Sequence, residues 1–278
     1  MPYITHPNGQ KTFYYEDDFV DPWKPHDTIL IQHGFARSAI FWYKWVPVLA
    51  QNYRVIRRDA RGHGKSSAPT KPEYTYDMDT ILDEIKDTLD QLGLEKVHYI
   101  GESTGGIWGE FFAAKYPERL HSLAICSSPL YMPKAAQEML AFGHKSWADA
   151  LRDLGARGWG EEILNVLNTS KDADPAFVKW WLKEVGDMDG KGLGDHAELL
   201  CSSDFDARRI MNNIKVPMLM LTPSNSKLVN LDEQKDLHEA VKGSKQELIK
   251  ANGHEIYLEP EASKNCLRLY QEFLQSLK

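Results

Sequence analysis

The chain has 278 residues, 42% hydrophobic and 26% charged, enough apolar content for one large core, or a core with an inserted subdomain, without disulfides or metals. Its formal net charge is -7 and it holds no lysine- or arginine-rich run, so the electrostatic footprint of a nucleic-acid or anionic-membrane binder is missing. Cys126, Cys201 and Cys266 are odd in number and far apart, with no Cys-x-x-Cys, a pattern of free, buried thiols in a reducing compartment.

Residues 3–5 and 11–15 read as two antiparallel edge strands around Asn8-Gly9, a strong hairpin signal. No basic region followed by an apolar one opens the chain, and no apolar stretch is long enough to span a membrane, so a cytoplasmic protein is expected. Residues 28–32 form a short apolar strand running into His33-Gly34-Phe35, and 41–50 carry aromatic and aliphatic residues at helical spacing. Residues 53–57 form the next strand and enter the stretch Asp59 to Ser67. Apolar residues at 78, 81, 82, 85, 89 and 92 then make 77–92 an amphipathic helix.

Val97 to Ile100 reads as a buried strand, and Gly106 to near Pro117 as a buried helix. Between them stands Gly101-Glu102-Ser103-Thr104-Gly105. A Gly-x-Ser-x-Gly in that context is a nucleophile elbow, where the flanking residues must be small and the strained apex presents its hydroxyl. Residues 120–126 add a strand, and the succession of strand-helix units predicts an α/β fold with a mostly parallel, twisted sheet flanked by helices. From 131 to about 210 the pattern turns helical, with Trp147, Trp159, Trp180 and Trp181, which predicts an inserted cap. The sheet resumes at 216–221, followed by a helix at 231–241, a strand at 246–250 and a last helix at 262–277. The expected organisation is a core of residues 1–130 and 211–278 with 131–210 as the cap insertion.

Four stretches, His33-Gly34-Phe35-Ala36-Arg37-Ser38, Asp59 to Ser67, Gly101 to Gly106 and Asn252 to Pro260, occur in an order that resembles the α/β-hydrolase superfamily in its cap-bearing esterase, lactonase and C–C hydrolase branch. Within that branch the chain is most similar to enol-lactone hydrolases and fungal polyketide or mycotoxin lactonases. The resemblance implies Ser103 as nucleophile and His254, on the loop after the last strand, as the base that takes its proton. It also implies that the backbone N–H groups of Phe35 and Thr104 form the oxyanion hole, with Thr104 at a helix N-terminus where free N–H groups favour an anion. His33 is expected to be structural support. Asp59 to Ser67 reads as architecture rather than a site, and most of the cap tryptophans as core.

A small hydrophobic ester or lactone is the expected substrate. A C–C bond hydrolase of a diketone-like substrate shares the same constellation, and a weakened hydrolase acting as a ligand receptor is the third reading. Haloalkane dehalogenases and epoxide hydrolases of this fold need aspartate where Ser103 stands, which excludes both. No cofactor or metal is expected: Gly190-Lys191-Gly192-Leu193-Gly194 has no preceding strand and no following Lys-Ser/Thr, and reads as a flexible cap loop. Nucleic acid and membrane are not expected partners, and a homodimer is compatible with the sequence.

The acid of the triad is where the sequence departs from its family. The usual aspartate lies about 28 residues before the histidine, a slot that Ser226 fills, and the alternative slot after residue 126 holds Ser127 and Ser128. Glu102 is expected to point away from the site, Glu255 adjoins the histidine, and Asp206 is expected to cap local backbone. Asp204 is the weak candidate for a displaced acid.

Overall fold

The computed structural model describes residues 2–166 and 173–278. Its strands are β1 (Tyr3–Thr5), β2 (Lys11–Asp17), β3 (Thr28–Gln32), β4 (Arg54–Arg58), β5 (Val97–Glu102), β6 (Leu120–Cys126), β7 (Met218–Pro223) and β8 (Lys245–Ile249). They form one sheet in the order β1-β2-β4-β3-β5-β6-β7-β8. The β1–β2 and β2–β4 pairings are antiparallel, and every later pairing is parallel. Strands β3, β5 and β7 are buried along their whole length, as a parallel sheet covered on both faces requires.

The predicted helix over 41–50 is broken. A 3-10 turn covers Ala39–Trp42 and a single α-turn, α1, covers Val46–Leu49. Pro47 is the reason, since it lacks the N–H that a helix begun at 41 would need there and is tolerated only in a first turn. By contrast α2 (Met78–Gln91) follows its apolar spacing and is capped by Asp77, whose side chain accepts from the Thr80 N–H. Helix α3 (Thr104–Lys115) follows β5 directly and is buried nearly all round.

Between β6 and β7 lie α4 (Lys134–Leu140), α5 (Trp147–Val166), α6 (Pro175–Gly186) and α7 (Gly190–Leu200), with α5 kinked at Gly155, φ 67°. The glycine-rich stretch expected as a flexible loop is the first part of α7, capped by the Asp189 side chain on the Lys191 N–H. Its glycines allow close helix packing: a Cβ at Gly190 would stand 2.7 Å from the Leu151 carbonyl oxygen, and one at Gly194 would stand 3.1 Å from that of Ala148. The chain then returns through β7, α8 (Leu231–Ala240), β8 and α9 (Pro260–Gln275). Cys126 and Cys266 are buried and Cys201 half-buried, all three as free thiols. Among the described residues no helix is long and apolar enough to cross a membrane.

Candidate active site

Strand β5 ends at Glu102 and α3 begins at Thr104, so Ser103 alone makes the turn, at φ 51° and ψ −122°. That backbone is costly for a residue with a Cβ and persists only where its surroundings enforce it. Here they do: a Cβ on Gly105 would lie 2.5 Å from the His33 carbonyl oxygen, and one on Gly101 would overlap the Gly105 carbonyl. The resulting apex puts Ser103 Oγ 3.1 Å from His254 Nε2. The end of β6 braces both partners. The Ser127 hydroxyl donates to the His254 carbonyl oxygen at 2.6 Å, and the Ser128 hydroxyl to that of Ser103 at 2.8 Å.

His254 is buried, and burial pushes its pKa down to about 4, with Arg37 lowering it further and Glu255 pulling it back. At neutral pH the ring is therefore an uncharged base with Nε2 against a hydroxyl. Its Nδ1 lies 3.0 Å from Ser226 Oγ, which also accepts the Leu228 N–H at 3.1 Å. The slot that sequence assigns to an acid thus holds a serine in contact with the ring. Asp204 is not its displaced replacement: it is an exposed side chain 3.5 Å from Arg209 Nη1, turned to solvent because the turn between α7 and β7 carries it on the surface. Asp206 caps backbone as expected, accepting from the Arg208 N–H.

Glu102 does not point away. One carboxylate oxygen accepts the Gly34 N–H at 2.9 Å and the other lies 3.8 Å from His254 Nε2. Strand alternation ends with β5 and the left-handed turn begins at once, so the side chain lies over the loop that follows β3, beside the nucleophile rather than behind it. Burial pushes Glu102 up to about 8, against the pull of Arg37 and the Gly34 N–H and with the push of Glu255. Glu255 is in turn engaged by Arg37 Nε at 2.6 Å and Trp181 Nε1 at 3.3 Å. The Arg37 guanidinium sits 4.2 Å from the Trp181 ring centroid, so α6 reaches the site through this buried ion pair.

Phe35 and Thr104 line one pocket with Ser103. Thr104 opens α3, where an N–H has no intrahelical acceptor. The pocket is small, about 40 Å³, and its walls beyond the polar end are Met132, Leu140, Trp147, Trp159, Ile163 and Leu228. His33 is braced on both ring nitrogens, accepting the Ala60 N–H at 2.9 Å through Nε2 and donating from Nδ1 to the Gly34 carbonyl oxygen at 2.7 Å. It ties the Phe35 loop to the Asp59 loop. That second loop is architecture: Asp59 accepts the N–H groups of Ala39 and Lys65, and Arg61 donates to Glu84.

A family model of the alpha/beta hydrolase fold matches residues 27–261. This chain belongs to the α/β-hydrolase family. Epoxide hydrolase 4 of Mus musculus is 38% identical over 104 residues, which are 36% of this chain and only 28% of that protein. A bifunctional esterase/perhydrolase of Acinetobacter calcoaceticus is 25% identical over 245 residues, 82% of this chain and 83% of that one. In fold, the crystal structure of the enol-lactonase from Burkholderia xenovorans matches with a TM-score of 0.86 at 21% identity, over 99% of this chain and 100% of that one.

The structure brings the elbow serine and the final histidine of this α/β-hydrolase to within 3.1 Å of each other. Sequence reasoning missed Arg37, which pairs with a carboxylate 218 positions away, a contact no local pattern encodes. It also left open which tryptophans face the pocket. Trp147 and Trp159 do, while Trp181 packs on Arg37.

Proposed function

We propose that this α/β-hydrolase is a serine hydrolase that cleaves compact hydrophobic carboxylic esters or lactones. The observation that carries the reading is the 3.1 Å approach of Ser103 Oγ to the Nε2 of a buried, uncharged His254 at the floor of an apolar-walled pocket. In acylation the Ser103 proton passes to Nε2 as Oγ bonds to the carbonyl carbon. The carbonyl oxygen, now anionic, takes the N–H groups of Phe35 and Thr104, an interaction worth several kcal/mol in such sites. His254 returns the proton to the departing alkoxide, and water repeats the sequence on the acyl-enzyme.

The Ser103 proton can pass to Nε2 only in the tautomer with hydrogen on Nδ1, and Ser226 Oγ, 3.0 Å from Nδ1, can accept that hydrogen beside the Leu228 N–H. Residues 131–210 act as a cap that sets substrate choice, since Met132, Leu140, Trp147, Trp159 and Ile163 all come from it. A pocket of about 40 Å³, small for a ligand site, favours compact acyl groups or rings over long chains. The similarity to an esterase/perhydrolase over most of both chains supports the ester reading. The likeness to an epoxide hydrolase over a third of the chain does not extend to its chemistry, because a serine opening an epoxide would form an ether with no acyl carbon for water to attack.

A fluorophosphonate probe should add once to the protein, at Ser103, with Ser103→Ala unlabelled by intact mass. Stoichiometric labelling of Ser103→Ala would move the nucleophile elsewhere. A wild-type protein that resists the probe and turns over no member of an ester and lactone panel would instead be a ligand receptor.

A further inference from the structure

Among the described residues no carboxylate meets His254 Nδ1, where Ser226 Oγ stands, yet a carboxyl group lies on the other side of the ring. Glu102 is 2% exposed, and its two oxygens face the Gly34 N–H at 2.9 Å and His254 Nε2 at 3.8 Å. The second carboxylate near the ring, Glu255, is already engaged by Arg37 and Trp181. Arg37 and Glu255 therefore offset each other, and among the described residues no cationic side chain lies at hydrogen-bond distance from Glu102. When Ser103 gives its proton to His254, a cation appears on a ring that is only 3% exposed. Ser226 cannot offset it, because a hydroxyl brings no charge.

We propose that Glu102 is the charge-balancing and positioning residue of this site, supplying from the serine side of the imidazole the counter-charge that a carboxylate at Nδ1 supplies in an ordinary triad. The inference rests on the serine hydrolase reading above. Glu102 acts in two ways. Its ionised carboxylate stabilises the imidazolium as the Ser103 O–H bond breaks and the Nε2–H bond forms. Its other oxygen holds the Gly34 N–H, which fixes the loop that carries the Phe35 N–H towards the developing oxyanion. Glu102 itself gives and takes no proton during turnover, so atoms and charge balance through Ser103, His254, the leaving alkoxide and water alone.

A consequence distinguishes this role from a purely structural one. The groups that face Glu102 are His254, Arg37, Glu255, Tyr257, Cys126 and the Gly34 N–H, and burial among them holds its carboxyl up to about 8. The resting protein at neutral pH therefore carries mostly neutral Glu102. If the anion is the working form, acylation accelerates as pH rises through 8, far above the titration of His254 at about 4.

The experiment is kcat/KM for 4-nitrophenyl acetate between pH 6 and 9.5, with fluorophosphonate labelling rates in parallel, on wild type, Glu102→Gln, Glu102→Asp and Ser103→Ala. Wild type should gain at least about tenfold between pH 6 and 9. Glu102→Gln keeps an oxygen for Gly34 but no charge, so its profile should be flat and its rate at pH 9 at least about tenfold lower. Glu102→Asp should retain a rising limb with a displaced midpoint. A flat wild-type profile, or a rise that survives in Glu102→Gln, overturns the proposal. Should Glu102→Gln fail to fold, an unmoved midpoint in Glu102→Asp overturns it and a moved one supports it. These outcomes are separate from failure of the hydrolase reading, which is marked by a wild type that the probe never labels at Ser103.

Discussion

Ser226 Oγ already accepts the Leu228 N–H, which leaves one lone pair and one O–H to face His254 Nδ1, and such a group can serve either tautomer of the ring. A carboxylate can only accept, so it would hold the hydrogen on Nδ1 and leave Nε2 open to the Ser103 proton. Loss of that preference costs about 10⁴ in turnover in a serine protease whose triad aspartate is replaced by asparagine. Ser226→Asp is therefore expected to raise esterase kcat by about tenfold or more and to move the acid limb of kcat/KM upward from about 4, because the imidazolium gains a counter-charge. Unchanged kcat and an unmoved limb would mean that tautomer and charge at Nδ1 do not limit the reaction. Ser226 at this slot was legible from spacing alone, as were Ser103 and His254 from their motifs. The direction of Glu102 was not, since alternation predicts a side chain only while the strand lasts, and β5 stops at that residue.

At the scale of elements, the sheet was readable because a buried parallel strand writes itself as a short apolar run, and the expected boundaries differ from the observed ones by at most about two residues. The helices between β6 and β7 were less so. Glycine spacing does not distinguish a loop from a helix pressed against its neighbour, and Gly190-Lys191-Gly192-Leu193-Gly194 proves to be the latter. Gly190→Ala should accordingly destabilise the protein by about 1–3 kcal/mol through its clash with the Leu151 carbonyl, where a loop glycine would tolerate the change; a denaturant midpoint equal to that of wild type would contradict this. The same helices close the pocket. Trp147, stacked with Trp159 and edge-on to Phe35 at 4.5 Å, is a wall whose removal opens space without touching Ser103 or His254. Trp147→Ala should shift the preferred acyl chain from acetyl or butyryl towards hexanoyl and octanoyl, changing the ratio of kcat/KM values by about tenfold. A 4-nitrophenyl ester series would show it, and an unchanged optimum would argue that another wall sets length.

For the whole molecule, the same burial that prepares the site fixes how stability depends on pH. Four fully buried histidines, His33, His63, His196 and His254, are held below their ordinary value, the second and fourth at about 4. Between 6.5 and 4 the unfolded chain binds protons that the folded one refuses, so their contribution is present above 6.5 and is lost as pH falls towards 4. Buried carboxyls act in the opposite sense. Glu102 is raised to about 8, Asp59 to about 6, and Glu110 well above the carboxylate range by burial alone. Above about 4.5 the unfolded chain ionises these groups while the folded one keeps its protons, so their contribution declines as pH rises through each folded value. The opposing slopes place maximum stability near pH 6, with a decline towards pH 9 of about 1.4 kcal/mol per pH unit for each carboxyl still protonated. Glu110 isolates the effect. It lies on the enclosed α3, is 0% exposed, has no hydrogen-bond partner for either oxygen among the described residues, and stands outside the pocket. Glu110→Gln keeps the shape of the neutral acid and removes its titration, so denaturant unfolding at pH 6, 7.5 and 9 should show a shallower alkaline decline than wild type. Parallel declines in the two proteins would mean that Glu110 is ionised in the native state, and that some cation or bound water compensates it inside the helix layer.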